Sequence, residues 1–193
     1  NTSFYRPLRP EISSVWLRRI SSHPRFQFTA KLYKRFTHER DAGPTDERDF
    51  KEGISPLMQA GKLGALLVQF PWSFKNTPEQ SDYLKKLLTH FREYPLVVEV
   101  RHASWNRPDV LRFLQDHRAG FCNLDQPIIG RSMPATQNVT APIGYVRLHG
   151  RNYETWFAED SGADLRYDYL YSRSELMEWK RRLEAIAAQS ERT

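Results

Sequence analysis

Residues 96–101, Leu-Val-Val-Glu-Val-Arg, form an apolar run that ends in two charged side chains at alternate positions, Glu99 and Arg101. Four other apolar runs end in the same way, at 26–31, 65–70, 121–125 and 145–149. Side chains two residues apart in a strand lie on one face of the sheet. In an α/β barrel, the active site lies where the parallel strands end. The alternation therefore predicts five parallel strands whose polar residues converge on one pocket.

Helix signals separate these runs, at a spacing of roughly 25 to 40 residues that is typical of repeated βα units. Prolines are placed to open helices at positions 10, 78 and 108. Ser172 and Glu175 form a capping box before the last helix. Gly53 and Pro56 are expected to disturb the second helix. The helices are expected at about 10–20, 46–61, 77–91, 109–117 and 172–188, with long loops at 126–142 and 152–171.

Composition limits the class of protein. The chain has 193 residues, 39% of them hydrophobic and 13% aromatic, so we expect one folded domain over residues 1–193. No apolar stretch is long enough to cross a membrane. Cys122 is the single cysteine, which excludes an internal disulfide. These features together predict a cytoplasmic protein without membrane association.

The positive charge is concentrated at the start of the chain. The net charge is +6, and residues 1–40 hold nine Lys/Arg but only two Asp/Glu. A basic segment can attract nucleic acid or an anionic substrate. It is also consistent with an ordinary solvated helix face, because no run of like charges has the length typical of a binding tail.

Three strand-end residues are candidates for acid–base catalysis: Glu99, Asp125 and His149. Structural alternatives are an ordering ion pair between Glu99 and Arg101, and a loop-stabilising role for Asp125. Arginine and lysine side chains would neutralise an anionic ligand, with the guanidinium groups making bidentate contacts. The candidate ligand-binding residues are Lys31, Gln69, Arg101, His102, Trp105, Asn123, Arg147, Arg151 and Tyr5.

The residue types of Glu99, Asp125 and His149 would suit a divalent metal, but no ligand spacing in the sequence demands one. We therefore assign no metal ligands; the sequence leaves open whether a metal is bound, and any cofactor is unknown. Dinucleotide-binding, Walker-type, zinc-protease and nucleophile-elbow motifs are all absent from the sequence.

Five stretches, in order, resemble the YecE-like family, also called domain of unknown function 72. They are Asn1–Tyr5, Phe26–Lys31 with Thr37-His38, Leu66–Pro71 with Ser73-Phe74, Val98–His102 with Ser104-Trp105, and Tyr145–Arg151. The resemblance implies a TIM-type (β/α)8 barrel. It also implies that this chain holds the end of the second strand and strands three to seven, and lacks the first and last strands. The family has no settled reaction, so the resemblance predicts fold rather than function.

The leading functional hypothesis is an enzyme-like pocket at the strand ends that binds a phosphate or carboxylate. A second hypothesis is a nucleic-acid-binding module, with or without metal-dependent phosphodiester cleavage, in which basic residues 1–40 contact the backbone and aromatic residues stack on bases. A third is a non-catalytic scaffold whose polar groups order the barrel mouth. The sequence leaves the substrate, the reaction and the oligomeric state open.

Overall fold

A computed structural model describes residues 2–154, 156, 165 and 167–193. The chain divides into two compact units, residues 1–71 with 82–98 and residues 72–81 with 99–193. The five strands are ordered β1-β2-β3-β4-β5, as they occur along the chain. The chain is therefore an α/β protein, as the alternation of strand and helix signals predicts. Whether residues 1–193 fold as one domain stays a prediction.

The first unit is built around two parallel strands. Its elements are α1 (Thr2–Tyr5), α2 (Pro10–Arg19), β1 (Phe28–Lys31), a π-helical turn (Arg35–Glu39), α3 (Pro44–Gln59), β2 (Leu63–Gln69), most of α4 (Pro78–His90) and β3 (Leu96–Glu99) up to residue 98. β1 pairs with β2 in parallel register, Ala30 opposite Leu66. Every residue of β2 is buried, as expected for a strand covered on both faces.

α3 runs unbroken through Gly53 and Pro56, although the sequence predicts a disturbance there. Gly53 has a packing reason. A methyl group at this position would lie 2.1 Å from the carbonyl oxygen of Leu8. The hydroxyl of Ser13 on α2 also donates to the carbonyl of Gly53, at 2.6 Å. Glycine therefore permits a close approach between α3 and the chain before α2.

The second unit contains the start of α4, a 3₁₀ turn (Ala103–Trp105), α5 (Pro108–Asp116), β4 (Gly120–Asp125), β5 (Tyr145–Leu148) and α6 (Arg173–Ala187). β4 and β5 pair in parallel, with Asp125 opposite Leu148. The predicted capping box at the start of α6 is confirmed, because the Ser172 hydroxyl accepts from the Glu175 N–H and the Glu175 carboxylate accepts from the Ser172 N–H. None of the helices in the described ranges combines the length and apolar character that a bilayer crossing needs.

Candidate functional site

A buried carboxylate lies at the centre of a charged site in the second unit. Glu99 is the last residue of β3 and is fully buried. Arg101 Nε donates to its Oε1 at 2.9 Å, and Arg147 Nη1 donates to its Oε2. His149 Nε2 lies 3.5 Å from Oε1. We call these four residues the Glu99 cluster; it joins side chains from the ends of two of the predicted strands.

The loop after β4 fixes the backbone at Arg101. The carbonyl oxygen of Arg101 accepts hydrogen bonds from Met133 N at 2.7 Å and from Gln126 Nε2 at 3.2 Å. Gln126 also donates to the carbonyl of Met133. β3 itself ends two residues earlier, so these contacts rather than the strand ladder place the Arg101 guanidinium against Glu99.

The cluster keeps Glu99 ionised. Burial alone would raise the pKa of Glu99, but the hydrogen bond from His149 and the charges of Arg101 and Arg147 outweigh it and hold that pKa well below its usual range. Burial alone would lower the pKa of Arg147, and the Glu99 charge reverses this and raises it. Glu99 is therefore an anchor for two cations near neutral pH.

His149 is buried and neutral at physiological pH. Burial lowers its pKa, as do the nearby charges of Arg101 and Arg147, and the hydrogen bond to Glu99 only partly opposes them. Its Nε2 lies 3.3 Å from Arg101 Nη2, so this nitrogen either accepts from Arg101 or donates to Glu99. Its Nδ1 has no hydrogen-bond partner within the described ranges. That second nitrogen is the atom of the cluster best placed to exchange a proton.

The Glu99 cluster leaves part of its positive charge accessible. Two guanidinium groups contact the same carboxylate, and His149 is neutral. The side chains of Arg101 and Arg147 are 15% and 25% exposed, which leaves both within reach of a ligand. Cys122 lies behind Glu99, with its Sγ 4.0 Å from Oε2. Burial and the Glu99 charge raise the pKa of its thiol, so Cys122 is not a reactive thiolate.

Two aromatic rings lie beside the cluster. Trp156 is 6% exposed, and its ring centroid lies 6.2 Å from that of His149 and 6.0 Å from the guanidinium carbon of Arg101. Tyr167 is 48% exposed, with its centroid 6.0 Å from the His149 ring at an interplanar angle of 39°. The sequence places both in an aromatic-rich connection, but it gives no sign that they meet His149.

A second charged cluster surrounds Asp125 at the end of β4. Arg151 Nε donates to both oxygens of Asp125 at 3.0 Å, and the Tyr171 hydroxyl donates to Oδ2 at 2.6 Å. Gly150 N donates to the same hydroxyl at 2.9 Å, and Arg151 Nη1 donates to Glu175 Oε1 at 3.2 Å. We call Asp125, Arg151, Tyr171 and Glu175 the Asp125 cluster.

The Asp125 cluster ties the chain after β5 to the start of α6. A hydrogen bond from Tyr169 and the N-terminal amide of Ser172 lower the pKa of Glu175 to about 2. Burial and the bond to Asp125 raise the pKa of Tyr171. Neither residue is among the candidates named from the sequence. The capping box in the sequence predicts that Glu175 lies in the first turn of a helix. No feature of the neighbouring sequence indicates that Glu175 also pairs with Arg151.

Asn123 orders the long loop after β4. Its Oδ1 accepts from the Thr136 hydroxyl and from Asn138 N, both at 2.8 Å. Its Nδ2 donates to the carbonyls of Asn138 and Tyr145, at 2.9 and 3.3 Å. Asn123 is fully buried, and all of these contacts are internal to the protein.

His102 and Trp105 shape the turn that follows β3. His102 Nδ1 accepts from Ser104 N at 3.1 Å and lies 2.8 Å from the Ser104 hydroxyl. Trp105 Nε1 donates to the carbonyl of Phe74 at 2.8 Å, and the two rings stack at 5.2 Å. His102 therefore caps the 3₁₀ turn, and Trp105 packs beneath it.

Three predicted site residues belong to the first unit. Lys31 ends β1, and its Nζ lies 3.6 Å from the centroid of the Phe4 ring. Ser3 bonds both the carbonyl and the N–H of Lys31. Gln69 ends β2 and is buried, whereas Tyr5 is exposed. The prediction that all strand ends share one pocket stays a prediction.

Among the described residues, no group of three or more His, Cys, Asp or Glu side chains is arranged to hold a metal ion. The carboxylates of Glu99 and Asp125 both bind arginine instead.

Comparison with known proteins identifies the family. The family model described as "Protein of unknown function DUF72" matches residues 1–193. The UPF0759 protein YunF of Bacillus subtilis (strain 168) is 30% identical over 204 residues, which cover 98% of this chain and 72% of that protein. The chain belongs to the DUF72 family, as the five quoted stretches predict.

Solved structures of DUF72 proteins share its fold. One from Thermotoga maritima MSB8 is 34% identical with a TM-score of 0.82, over 94% of this chain and 70% of that one. One from Enterococcus faecalis V583 is 26% identical with a TM-score of 0.86, over 99% of this chain and 74% of that one. These similarities concern family and fold.

Proposed function

We propose that the Glu99 cluster is a binding pocket for an anionic ligand that carries a phosphate or carboxylate group. The observation that supports this is the exposure of two guanidinium groups at one place: Arg101 and Arg147 both contact the buried Glu99 carboxylate, and both stay partly exposed. Hydrogen bonds between a guanidinium group and an anionic oxygen are among the strong ones in proteins. An anion in contact with both guanidinium groups would make such bonds.

Arg101 offers a free donor for such a ligand. Its Nε bonds Glu99 and its Nη2 faces His149. Its Nη1 has no hydrogen-bond partner in the described part of the chain. Arginine presents its donors in a rigid fork that matches phosphate and carboxylate oxygens. Glu99, by holding the Nε side of that fork, would fix the direction of the remaining donor.

The pocket is enzyme-like because it pairs this charge with an acid–base group. We assign proton transfer to His149 Nδ1, since Nε2 is engaged with Arg101 and Glu99. The low pKa of Glu99 favours an anchoring role over proton transfer. Asp125, bound by Arg151 and Tyr171, would act by ordering the segment beside the pocket.

Binding of inorganic phosphate and of acetate, followed by isothermal titration calorimetry, tests this proposal. Arg101→Gln should weaken binding about tenfold or more, because charge-assisted hydrogen bonds are worth about 1.5–3 kcal/mol. Arg107→Gln is the matched control, since Arg107 is an exposed arginine that pairs only locally with Asp109. Circular dichroism verifies that both variants fold. Equal binding by the wild-type protein and Arg101→Gln, or no binding of either anion, would refute an anion pocket here and favour the non-catalytic scaffold.

A nucleic-acid-binding surface in the first unit is a second candidate. Five arginines between residues 6 and 25 are exposed, and none forms an ion pair with a residue in the described ranges; they are Arg6, Arg9, Arg18, Arg19 and Arg25. Unpaired arginines on one segment suit a polyphosphate backbone. Affinity for DNA and RNA should then fall steeply as salt increases. Weak affinity at low salt would exclude this candidate, including its phosphodiesterase form.

We also propose that the five strands are part of a TIM-type (β/α)8 barrel, as strands three to seven of that fold, with the end of strand two before them. The parallel pairing of β1 with β2 and of β4 with β5 supports it, as do the longer relatives. A cytoplasmic location is proposed on composition alone, from the single cysteine.

A further inference from the structure

The aromatic side chains beside the Glu99 cluster are arranged unequally. Trp156 is buried, whereas Tyr167 leaves about half of its side chain in solvent. The two rings meet edge to face, with centroids 6.1 Å apart and an interplanar angle of 85°. Tyr167 is also tilted by 39° against His149. Trp156 thus supports Tyr167 from one side, and His149 supports it from another.

An exposed ring held in this way costs free energy that core packing does not return, because about half of its side chain stays in water. Aromatic faces of this kind stack on flat unsaturated rings, which gain dispersion and electrostatic attraction in an offset arrangement. The supported position of Tyr167 keeps this face preorganised, so a ligand would lose little by ordering it.

Trp156 lies beside both the Arg101 guanidinium group and the Tyr167 ring. The guanidinium carbon of Arg101 is 6.0 Å from the Trp156 centroid, and Trp156 in turn contacts Tyr167. Arg101 and Tyr167 therefore contact the same tryptophan, so a donor for an anion and an exposed aromatic ring belong to one local group of side chains.

We propose that the ligand of the pocket is a flat, ring-bearing anion: an aromatic carboxylate or an aryl phosphate whose ring stacks on Tyr167. This proposal rests on the proposed function, because Arg101 and Arg147 would bind the anionic group. Tyr167 determines specificity for the ring, and Trp156 and His149 position it.

Matched pairs of anions separate stacking from charge and from size. Calorimetric titration compares benzoate with cyclohexanecarboxylate, which has a puckered ring of similar size, and with acetate. Phenyl phosphate against inorganic phosphate forms the second arm and distinguishes an aryl phosphate from an aromatic carboxylate. Benzoate or phenyl phosphate should bind about three- to tenfold more tightly than its ring-free or puckered counterpart.

Two tyrosine variants complete the test. Tyr167→Ala should abolish the preference for flat rings while leaving acetate and phosphate affinities within twofold. Tyr153→Ala is the control, because Tyr153 is exposed in the same connection. It should leave the preference intact. Equal affinity for benzoate and cyclohexanecarboxylate together with no preference for phenyl phosphate, or a flat-ring preference that survives Tyr167→Ala, would overturn the inference while leaving the anion pocket in place. If no anion binds at all, it is the proposed function that fails.

Discussion

Replacing Glu99 with glutamine should leave Arg101 and Arg147 without the carboxylate that they share, and so destabilise the protein. The substitution preserves shape but removes the only carboxylate that Arg101 and Arg147 share within the described ranges. Breaking a buried ion pair by removing one partner costs about 3–5 kcal/mol. Because 15% of the Arg101 side chain and 25% of the Arg147 side chain reach solvent, we expect the lower end, about 3 kcal/mol.

For a chain of 193 residues, that loss corresponds to a fall in Tm of about 6–12 °C. Differential scanning calorimetry measures it directly. Glu178→Gln is the control: 44% of the Glu178 side chain is exposed, and it pairs with Arg182 at 3.0 Å within one helix turn. Such a pair contributes about 0.5 kcal/mol or less, so the Tm should change by less than about 2 °C. Equal Tm losses in Glu99→Gln and Glu178→Gln would refute the role assigned to Glu99.

Two further measurements separate stranded charge from lost packing. The double variant Glu99→Gln/Arg147→Met should be more stable than Glu99→Gln alone, because it removes one of the two cations that Glu99 neutralises in the wild-type protein. If the double variant loses as much stability as Glu99→Gln and Arg147→Met lose together as single variants, this explanation is contradicted. The pKa of Glu99 is held below its ordinary value in the folded state, so its contribution is present above about pH 4.3 and is lost as the pH falls below that. The difference in free energy of unfolding between the wild-type protein and Glu99→Gln should become smaller as the pH falls over the same range.

Three other predictions concern single contacts. Gly53→Ala should lower the free energy of unfolding by about 1–3 kcal/mol, because the added methyl group clashes with the Leu8 carbonyl. Helix propensity alone would raise that free energy by about 1 kcal/mol, so a higher urea midpoint in the variant would contradict the clash. Tyr171→Phe should cost about 1–3 kcal/mol, since it removes a hydrogen bond to buried Asp125, and an unchanged urea midpoint would refute this. Because the pKa of His149 is lowered in the folded protein, the unfolded chain binds the proton first as the pH falls, and the free energy of unfolding should decrease below about pH 6.5. His149→Asn should reduce this dependence on pH. Equal dependence in the wild-type protein and the variant would exclude the effect.

Alternation along the strands predicts much of the Glu99 cluster. Glu99 and Arg101 share a parity in one run, and Arg147 and His149 share a parity in another. All four side chains meet in the second unit. Such parity is informative because the two-residue repeat is set by backbone geometry, which neighbouring side chains do not alter.

Strand boundaries are less predictable, since hydrogen-bond pairing ends before the apolar pattern does. The first run is expected to begin at Phe26, but β1 begins at Phe28, where the register with β2 shifts. The third run is expected to reach Arg101, whereas β3 ends at Glu99. Arg101 is instead placed by the loop that bonds its carbonyl, a contact 25 residues or more away in sequence.

The Asp125 cluster shows what sequence spacing cannot reveal. Tyr171 lies 46 residues from Asp125, and Glu175 lies 24 residues from Arg151. Both follow a connection with no regular repeat, so no periodicity relates their positions to the strand ends. The high aromatic content of that connection indicates that its side chains pack against the rest of the protein. Which residues they contact depends on the tertiary path of the chain, which the sequence pattern does not give.

The two clusters also show why a charged strand end is not by itself a binding site. In the Asp125 cluster, one arginine faces two carboxylates, and the surplus is about −1. In the Glu99 cluster, two arginines contact one carboxylate, and the side chains of both are partly exposed. What a charged strand end can bind therefore depends on which donors and acceptors its internal ion pairs leave accessible. At Asp125 the ion pairs join the chain after β5 to the start of α6, whereas at Glu99 they leave two guanidinium groups within reach of solvent, where we propose that an anion binds.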